Sequence, residues 1–324
     1  MQCSFCHAEL AATVPSNCSN VKIAHLKEQS QNKNGCGNIL LMTPEVFDKM
    51  IHLGEIRRDN LRLLLADDIQ AIGEDTLATY EAVIARVLLA FKQVRILAMI
   101  DHVGNIEDFK FWLKAKNIKF NDEHVIPERQ KRVLGFESKG VVNHFQFENR
   151  LTVKLPSIMA KNRKESLLII CSTGKSAEIT AAALAKTSSK KDDKLNVCFS
   201  DSKLDNLAAT GIAFLAPRQT LRDRRMVELL FSKGKIRIIC LTLMTLLETC
   251  LSAHSVIVKG TKKYGEQGFE EYSVTDLLKL TFRAKSLIVI MTSKDMKSCY
   301  SSTDLEQFVI ESRYIDGSLT KFIV

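Results

Sequence analysis

The chain has 324 residues, 46% hydrophobic and 26% charged, and its 46 lysines and arginines exceed its 37 acids to give a formal net charge of +9. That length accommodates two domains and that apolar content fills two cores, which excludes a disordered or fibrous chain. No apolar run approaches the roughly 20 residues of a membrane-spanning helix, and no charged start leads into an apolar block, so the sequence reads as a soluble intracellular protein without signal peptide or transmembrane segment.

Residues 1–36 form a divergent N-terminal segment. Cys3, Cys6, Cys18 and Cys36, with His7 and His25 nearby, offer one CxxC pair and two further thiols, a donor set that matches tetrahedral zinc only in its first half. Cys3 to His7 also spells CxxCH, but nothing in the chain supports the exported or organellar setting of covalent haem attachment. The cysteines number nine, an odd count, and Cys171, Cys240 and Cys250 lie inside apolar runs. They read as reduced core residues, not as disulfide partners.

From residue 37 the pattern becomes regular. NILLM predicts a short strand, and TPEVFDKMIHL a helix with Thr43 as N-cap, Pro44 in the first helical position and Glu45 in the first turn. LLLADDIQAIGE, from Leu63 to Glu74, is an apolar strand that delivers two adjacent carboxylates, Asp67 and Asp68, to the carboxyl edge of a sheet, where open α/β proteins bind ligands. Apolar residues between Leu77 and Phe91 recur at helical spacing, VRILAMI is the next strand, and NIEDFKFWLKAKN is a helix capped by Asn105.

Residues 115–165 carry mixed charge, with Pro127, Gly135, Gly140 and Pro156 and no long period, and read as an inter-domain connection. Alternation then resumes. SLLIIC, IRIICLT, SVIVKG and SLIVIMT are predicted strands, and GKSAEITAAALAK, RQTLRDRRMVELLFSKGK and SVTDLLKLTFRA are predicted helices. Strand–helix alternation on both sides of one connection predicts two parallel α/β domains in tandem.

The order and spacing of these segments, together with VLGF at residues 133–136, GIAF and HSVIVKGTKKYGEQGFEEYSVTDLLKL, resemble a superfamily-2 helicase core. Within it the chain resembles the Ski-like DExH-box group, particularly the meiotic crossover ATP-dependent DNA helicases of the HFM or MER type, with the spliceosomal helicases as cousins. The resemblance implies a P-loop NTPase fold in two RecA-like lobes: a first lobe truncated at its N-terminus over residues 37–136, a linker over 137–165, and a second lobe over 166–324. It implies ATP with Mg²⁺, the metal on Asp67 and the attacking water on Asp68. Arg283 corresponds to an arginine of motif VI, and Thr43 and Glu45 match positions that face the nucleic-acid backbone. Thr173 and Lys175, at a helix start, are candidate phosphate contacts. The implied partners are nucleic acid, DNA before RNA, and recombination or helicase-complex proteins, in the nucleus.

The departures shape the expected activity. No GxxxxGK[ST] occurs, so the backbone N–H cradle and the phosphate lysine of that loop are missing from the sequence. The SAT link reads Ile100-Asp101-His102, the HHAG position reads Leu215-Ala216-Pro217-Arg218, and motif V has Glu248 and Cys250 where the family has glycine and asparagine. In motif VI, KLTFRAKS keeps Arg283 and has Ser286 in place of the second arginine. The expectation is a degenerate helicase core with vestigial Asp67, Asp68 and Arg283, which binds nucleic acid or a helicase partner without independent ATP hydrolysis. The alternatives are part of an active helicase whose phosphate loop lies upstream, and a non-catalytic interaction module built on an open sheet edge. Clusters at Lys161, Arg163 and Lys164, at Lys190, Lys191 and Lys194, and at Arg222, Arg224 and Arg225 add diffuse attraction for phosphate, while His102 and His254 read as structural.

Overall fold

The computed structural model describes residues 23–25, 38–57, 60–69, 72, 78–91, 93–100, 105–116, 129–138, 143–160, 165–187, 198–265 and 268–302. The chain divides into two compact units, Met1–Phe120 with Glu306–Val324, and Asn121–Leu305. Both are α/β, as the alternation predicts.

In the first unit, β1 (Ile23–His25) pairs in parallel with β2 (Ile39–Leu41). Helix α1 (Pro44–His52) follows, then β3 (Leu63–Ala66), α2 (Ala78–Ala90), β4 (Arg95–Ala98) and α3 (Ile106–Trp112). β3 and β4 are parallel, with Leu64 opposite Ile96 and Ala66 opposite Ala98. Because side chains alternate across a strand, one face of this pair enters the core. There Ala66 and Ala98 pack with Ile84 and Phe109, while Leu64 and Ile96 pack with Phe47, Val83 and Val87. An Asp48–Arg86 ion pair joins α1 to α2, and His52 Nε2 lies 3.0 Å from the same guanidinium. Thr43 takes the extended N-cap conformation of α1, but its hydroxyl makes no capping bond. Asn105 likewise makes no side-chain capping bond; its Nδ2 donates to Asp108 Oδ2 at 3.0 Å.

The second unit begins earlier in the chain than expected. β5 (Gln130–Phe136) pairs in parallel with the last strand of the unit's sheet, and α4 (His144–Met159) buries Leu151 and Leu155 in the same core. The boundary at residue 136 and the linker at 137–165 are therefore corrected: the VLGF run is an edge strand of the second sheet, and most of the linker is helix. The helix nevertheless runs through Pro156, which lies in its last turn and there loses the bond its own N–H would donate and crowds the preceding turn. Asn143 caps the helix by accepting from Gln146 N at 3.0 Å.

After α4 come β6 (Leu167–Ile170), α5 (Gly174–Thr187), α6 (Ser202–Ala208), β7 (Ile212–Phe214), α7 (Leu221–Ser232), β8 (Ile238–Leu241), α8 (Leu243–Leu247) and β9 (Ala253–Lys259). A hairpin of β10 (Lys262–Gly265) and β11 (Gly268–Glu271) precedes α9 (Val274–Phe282), β12 (Ala284–Ser293) and α10 (Lys297–Ser302). The main sheet has six strands in the order β5-β12-β9-β6-β8-β7, all parallel. β6 and β8 are buried at every residue, as strands covered on both faces must be. Cys171 and Cys240 sit in this core as expected, whereas Cys250 is exposed, because its apolar run turns out of the sheet after α8.

Candidate functional site

In the first unit, β3 ends at Ala66 and places Asp67 and Asp68 at its carboxyl end, as the sequence pattern predicts. Asp68 adopts φ 51°, a left-handed conformation that asparagine and aspartate tolerate better than most residues. The turn is fastened by its own atoms: Asp68 N donates to Asp67 Oδ1 at 3.0 Å, and Tyr80 Oη donates to the Asp67 carbonyl at 2.6 Å. Burial, reinforced by the two carboxylates, pushes the Tyr80 hydroxyl above its usual range and keeps it a donor. Magnesium, implied by the resemblance, would be held by Asp67 together with the phosphates of a bound nucleotide. Among the described residues no group of three or more His, Cys, Asp and Glu side chains is placed to hold a metal by itself. Thr43 and Glu45 are both exposed at the start of α1. Asp101 and His102 lie outside the described residues, as do the four N-terminal cysteines, His7, and the lysine and arginine clusters at 161–164 and 190–194.

In the second unit, β6 leads through Cys171 and Ser172 to Thr173, whose hydroxyl accepts from Ser176 N at 3.1 Å and so caps α5. Lys175, one residue into the helix, is exposed and bridges to Glu178 at 3.1 Å, and Lys203 reaches the same carboxylate at 2.7 Å. The Lys203 ammonium holds the Glu178 carboxyl below its usual range against a smaller opposing effect of burial, with Lys175 adding to the lowering. A side chain at Gly174 would meet Ala216 Cβ and Pro217 Cδ at 3.4 Å, so the first turn of α5 lies against the β7–α7 loop. Thr173, Lys175 and residues 216–219 thus share the carboxyl edge of the sheet.

Two acid–base pairs beneath this edge escaped the sequence reading. Arg224, on α7, donates to Glu248 at 2.6 Å and to the Ala216 carbonyl at 3.1 Å. The side chain that stands where the family has glycine therefore engages the nearest arginine. Deeper, Lys259 at the end of β9 donates to Thr152, Ser176 and Thr180 at 3.1, 2.9 and 2.7 Å and lies 3.8 Å from Glu148. Glu148 in turn accepts from both the N–H and the hydroxyl of Ser172. This buried cluster ties α4 and α5 to the ends of β6 and β9. Its one signal in the sequence was a lysine closing the apolar run SVIVK.

Arg283 is not at this edge. It follows α9 and immediately precedes β12; Ala284 is in register with Ala253, and its guanidinium approaches the Leu251 carbonyl at 3.5 Å. The carboxyl end of β9, at Lys259, lies six residues beyond Ala253, about 20 Å away, and β12 runs on to Ser293. The structure therefore places Arg283 on the amino edge, apart from Thr173 and Lys175.

The hairpin was also missed, although KKYGEQGFEE carries the alternation and flanking glycines of a strand–turn–strand. It presents Tyr264 and Phe269, both exposed, with ring centroids 5.3 Å apart in an edge-to-face pair. Lys262 and Lys263 flank them, opposite Glu271 and Glu270. Exposed aromatic faces beside lysines can stack on the bases of single-stranded nucleic acid.

No protein-family model matches the chain. It is 32% identical over 294 residues to the ATP-dependent DNA helicase MER3 of Saccharomyces cerevisiae, which covers 85% of this chain and 25% of that protein. It is 29% identical over 279 residues to the probable ATP-dependent DNA helicase HFM1 of Homo sapiens, covering 76% and 19%. The human U5 small nuclear ribonucleoprotein 200 kDa helicase is 26% identical over 313 residues, 86% of this chain and 14% of that protein. The chain thus spans about a quarter or less of the length of these relatives.

Proposed function

Since this chain is a relative of the MER3- and HFM1-type superfamily-2 helicases over most of its length, we propose that it is a helicase-core protein that binds nucleic acid, DNA in preference to RNA, and does not turn over ATP on its own. The relatives are named as ATP-dependent DNA helicases. What supports the non-catalytic reading is that Glu248, held by Arg224, stands where the family has glycine, and that Ser286 stands where it has the second arginine of motif VI. A charge that is to stabilise phosphoryl transfer has to lie beside the transferring group.

Binding rests on Lys175 beside the capped start of α5, on the Tyr264–Phe269 pair, and on the overall positive charge. A nuclear location and helicase-complex partners are part of the same reading. The affinity for a labelled single-stranded oligonucleotide, followed by fluorescence anisotropy, is expected to fall steeply with salt. Changing Tyr264 and Phe269 together to alanine should weaken it by about tenfold or more. ATP turnover by the purified chain is expected to stay at background with and without the oligonucleotide. The competing reading, a working ATPase, rests on the relatives' names; turnover that single-stranded DNA stimulates and Asp68→Asn abolishes would establish it and overturn ours.

A further inference from the structure

The strands of the β10–β11 hairpin have 4 residues each. A two-stranded ribbon is marginally stable by itself, so a side chain near its turn keeps one orientation only if the rest of the fold holds it. The base of the hairpin is fastened: Lys263 donates to Asp276 at 2.7 Å, and Tyr300 Oη donates to Glu271 at 2.7 Å. Neither contact involves Phe269, which follows Gly268 with its φ of 111°. His144 supplies what they do not. Its imidazole centroid lies 4.5 Å from that of the Phe269 ring, with the planes 49° apart, and Tyr264, opposite Phe269 in the ladder, meets the same ring in the edge-to-face pair.

The imidazole is itself fixed. It stands on the first residue of α4, which Asn143 caps and which Leu151 and Leu155 anchor in the core. A Cβ added to Gly260 would meet His144 Cε1 at 3.7 Å, so the bare backbone after β9 lies beside the ring. His144 Nε2 is buried and has no hydrogen-bond partner. Buried polar atoms ordinarily have one, so at this atom the residue contributes as a ring and not as a donor or acceptor.

We propose that His144 is a positioning residue of the nucleic-acid site: its ring backs Phe269, holds it against Tyr264, and thereby presents a fixed aromatic surface to a base. The proposal rests on the reading that Tyr264 and Phe269 stack on single-stranded nucleic acid, and adds the residue that preorganises them. A ring held in place before binding loses little freedom when a base stacks on it, and the affinity gains by that amount. His144 acts through Phe269 alone, while attraction for phosphate stays with the lysines.

The test uses the full chain and a single-stranded oligonucleotide carrying the fluorescent base 2-aminopurine, whose emission is quenched on stacking, with anisotropy giving the affinity. His144→Leu keeps an apolar side chain and removes the ring. It should weaken binding by about threefold, in line with the loss of one aromatic pair, and reduce the quenching at saturation. His144→Phe should restore both. In a Phe269→Ala background His144→Leu should cause no further loss, because the two residues form one unit. Wild-type affinity and quenching in His144→Leu, no recovery in His144→Phe, or an undiminished loss in the Phe269→Ala background overturns the proposal. Unchanged affinity when Tyr264 and Phe269 are both replaced by alanine is a different result: it removes the stacking reading itself, and the role of His144 with it.

Discussion

Replacing Lys259 by methionine tests the polar cluster that sets the carboxyl edge of the second sheet. The substitution keeps the unbranched side chain and removes only the charged end. In the wild type that end is 1% exposed, donates to Thr152, Ser176 and Thr180, and faces an equally buried Glu148. Afterwards the Glu148 carboxylate keeps its two bonds from Ser172 but has lost the positive charge 3.8 Å away. The three hydroxyls suffer less, since Thr152 and Thr180 still donate to the Glu148 and Ser176 carbonyls. The dominant loss is the uncompensated buried charge, and the expected cost is about 3–5 kcal/mol. Urea denaturation followed by far-ultraviolet circular dichroism measures it. The double variant Lys259→Met with Glu148→Gln should cost at least about 2 kcal/mol less than the sum of its parts, because the pair is then removed together. A single variant within about 1 kcal/mol of wild type, or strictly additive losses, would refute the assignment of Lys259 and Glu148 as a coupled pair.

Glu178→Gln removes the acid shared by Lys175 and Lys203; single-stranded DNA should then bind more tightly, and the salt dependence of the anisotropy titration should steepen as two more cations become available to phosphate. His144 has its imidazole held below the usual value, chiefly by burial and against the pull of Glu148. Its neutral form favours folding, so this contribution is complete above the ordinary value of about 6.5 and is lost as pH falls through the lowered folded value; His144→Gln should flatten that part of the stability–pH profile. Among the described cysteines, burial raises the Cys171 and Cys240 thiols, so mass-spectrometric mapping after maleimide treatment of the native chain should find Cys198, Cys250 and Cys299 modified and these two intact.

The central strands were legible because burial on both faces writes itself as an unbroken apolar run, as in LLII of β6 and IICL of β8. The edge strand β5 was not. QKRVLGF is half polar because its first residues face water, and that pattern resembles a loop as much as a strand. In α4 the spacing of Phe147, Leu151 and Leu155 was present, but Pro156, ordinarily a helix breaker, and the polar residues between them obscured it. Asp67 and Asp68 could be placed at a strand end from local pattern alone, since strand length and alternation fix that position. Lys259 and Glu148, 111 residues apart, could not, because only the parallel crossover brings α4 beneath the end of β9.

The same distinction bears on what the surface can do. Two of the basic side chains nearest the carboxyl edge are held by acids: Arg224 by Glu248, and Lys259 in the cluster with Glu148. Lys175 is exposed but shares Glu178 with Lys203. A fixed phosphate cradle needs donors whose bonds are left open for the ligand, and these three are partly or wholly occupied within the protein. The net charge of +9 is a different resource, because it acts through counterion release and needs no fixed geometry. Affinity built on it spreads over many phosphates and is largely indifferent to sequence. The expected behaviour is therefore a steep salt dependence, a small loss from any single lysine, and a larger loss from the Tyr264–Phe269 pair, whose contribution is local stacking.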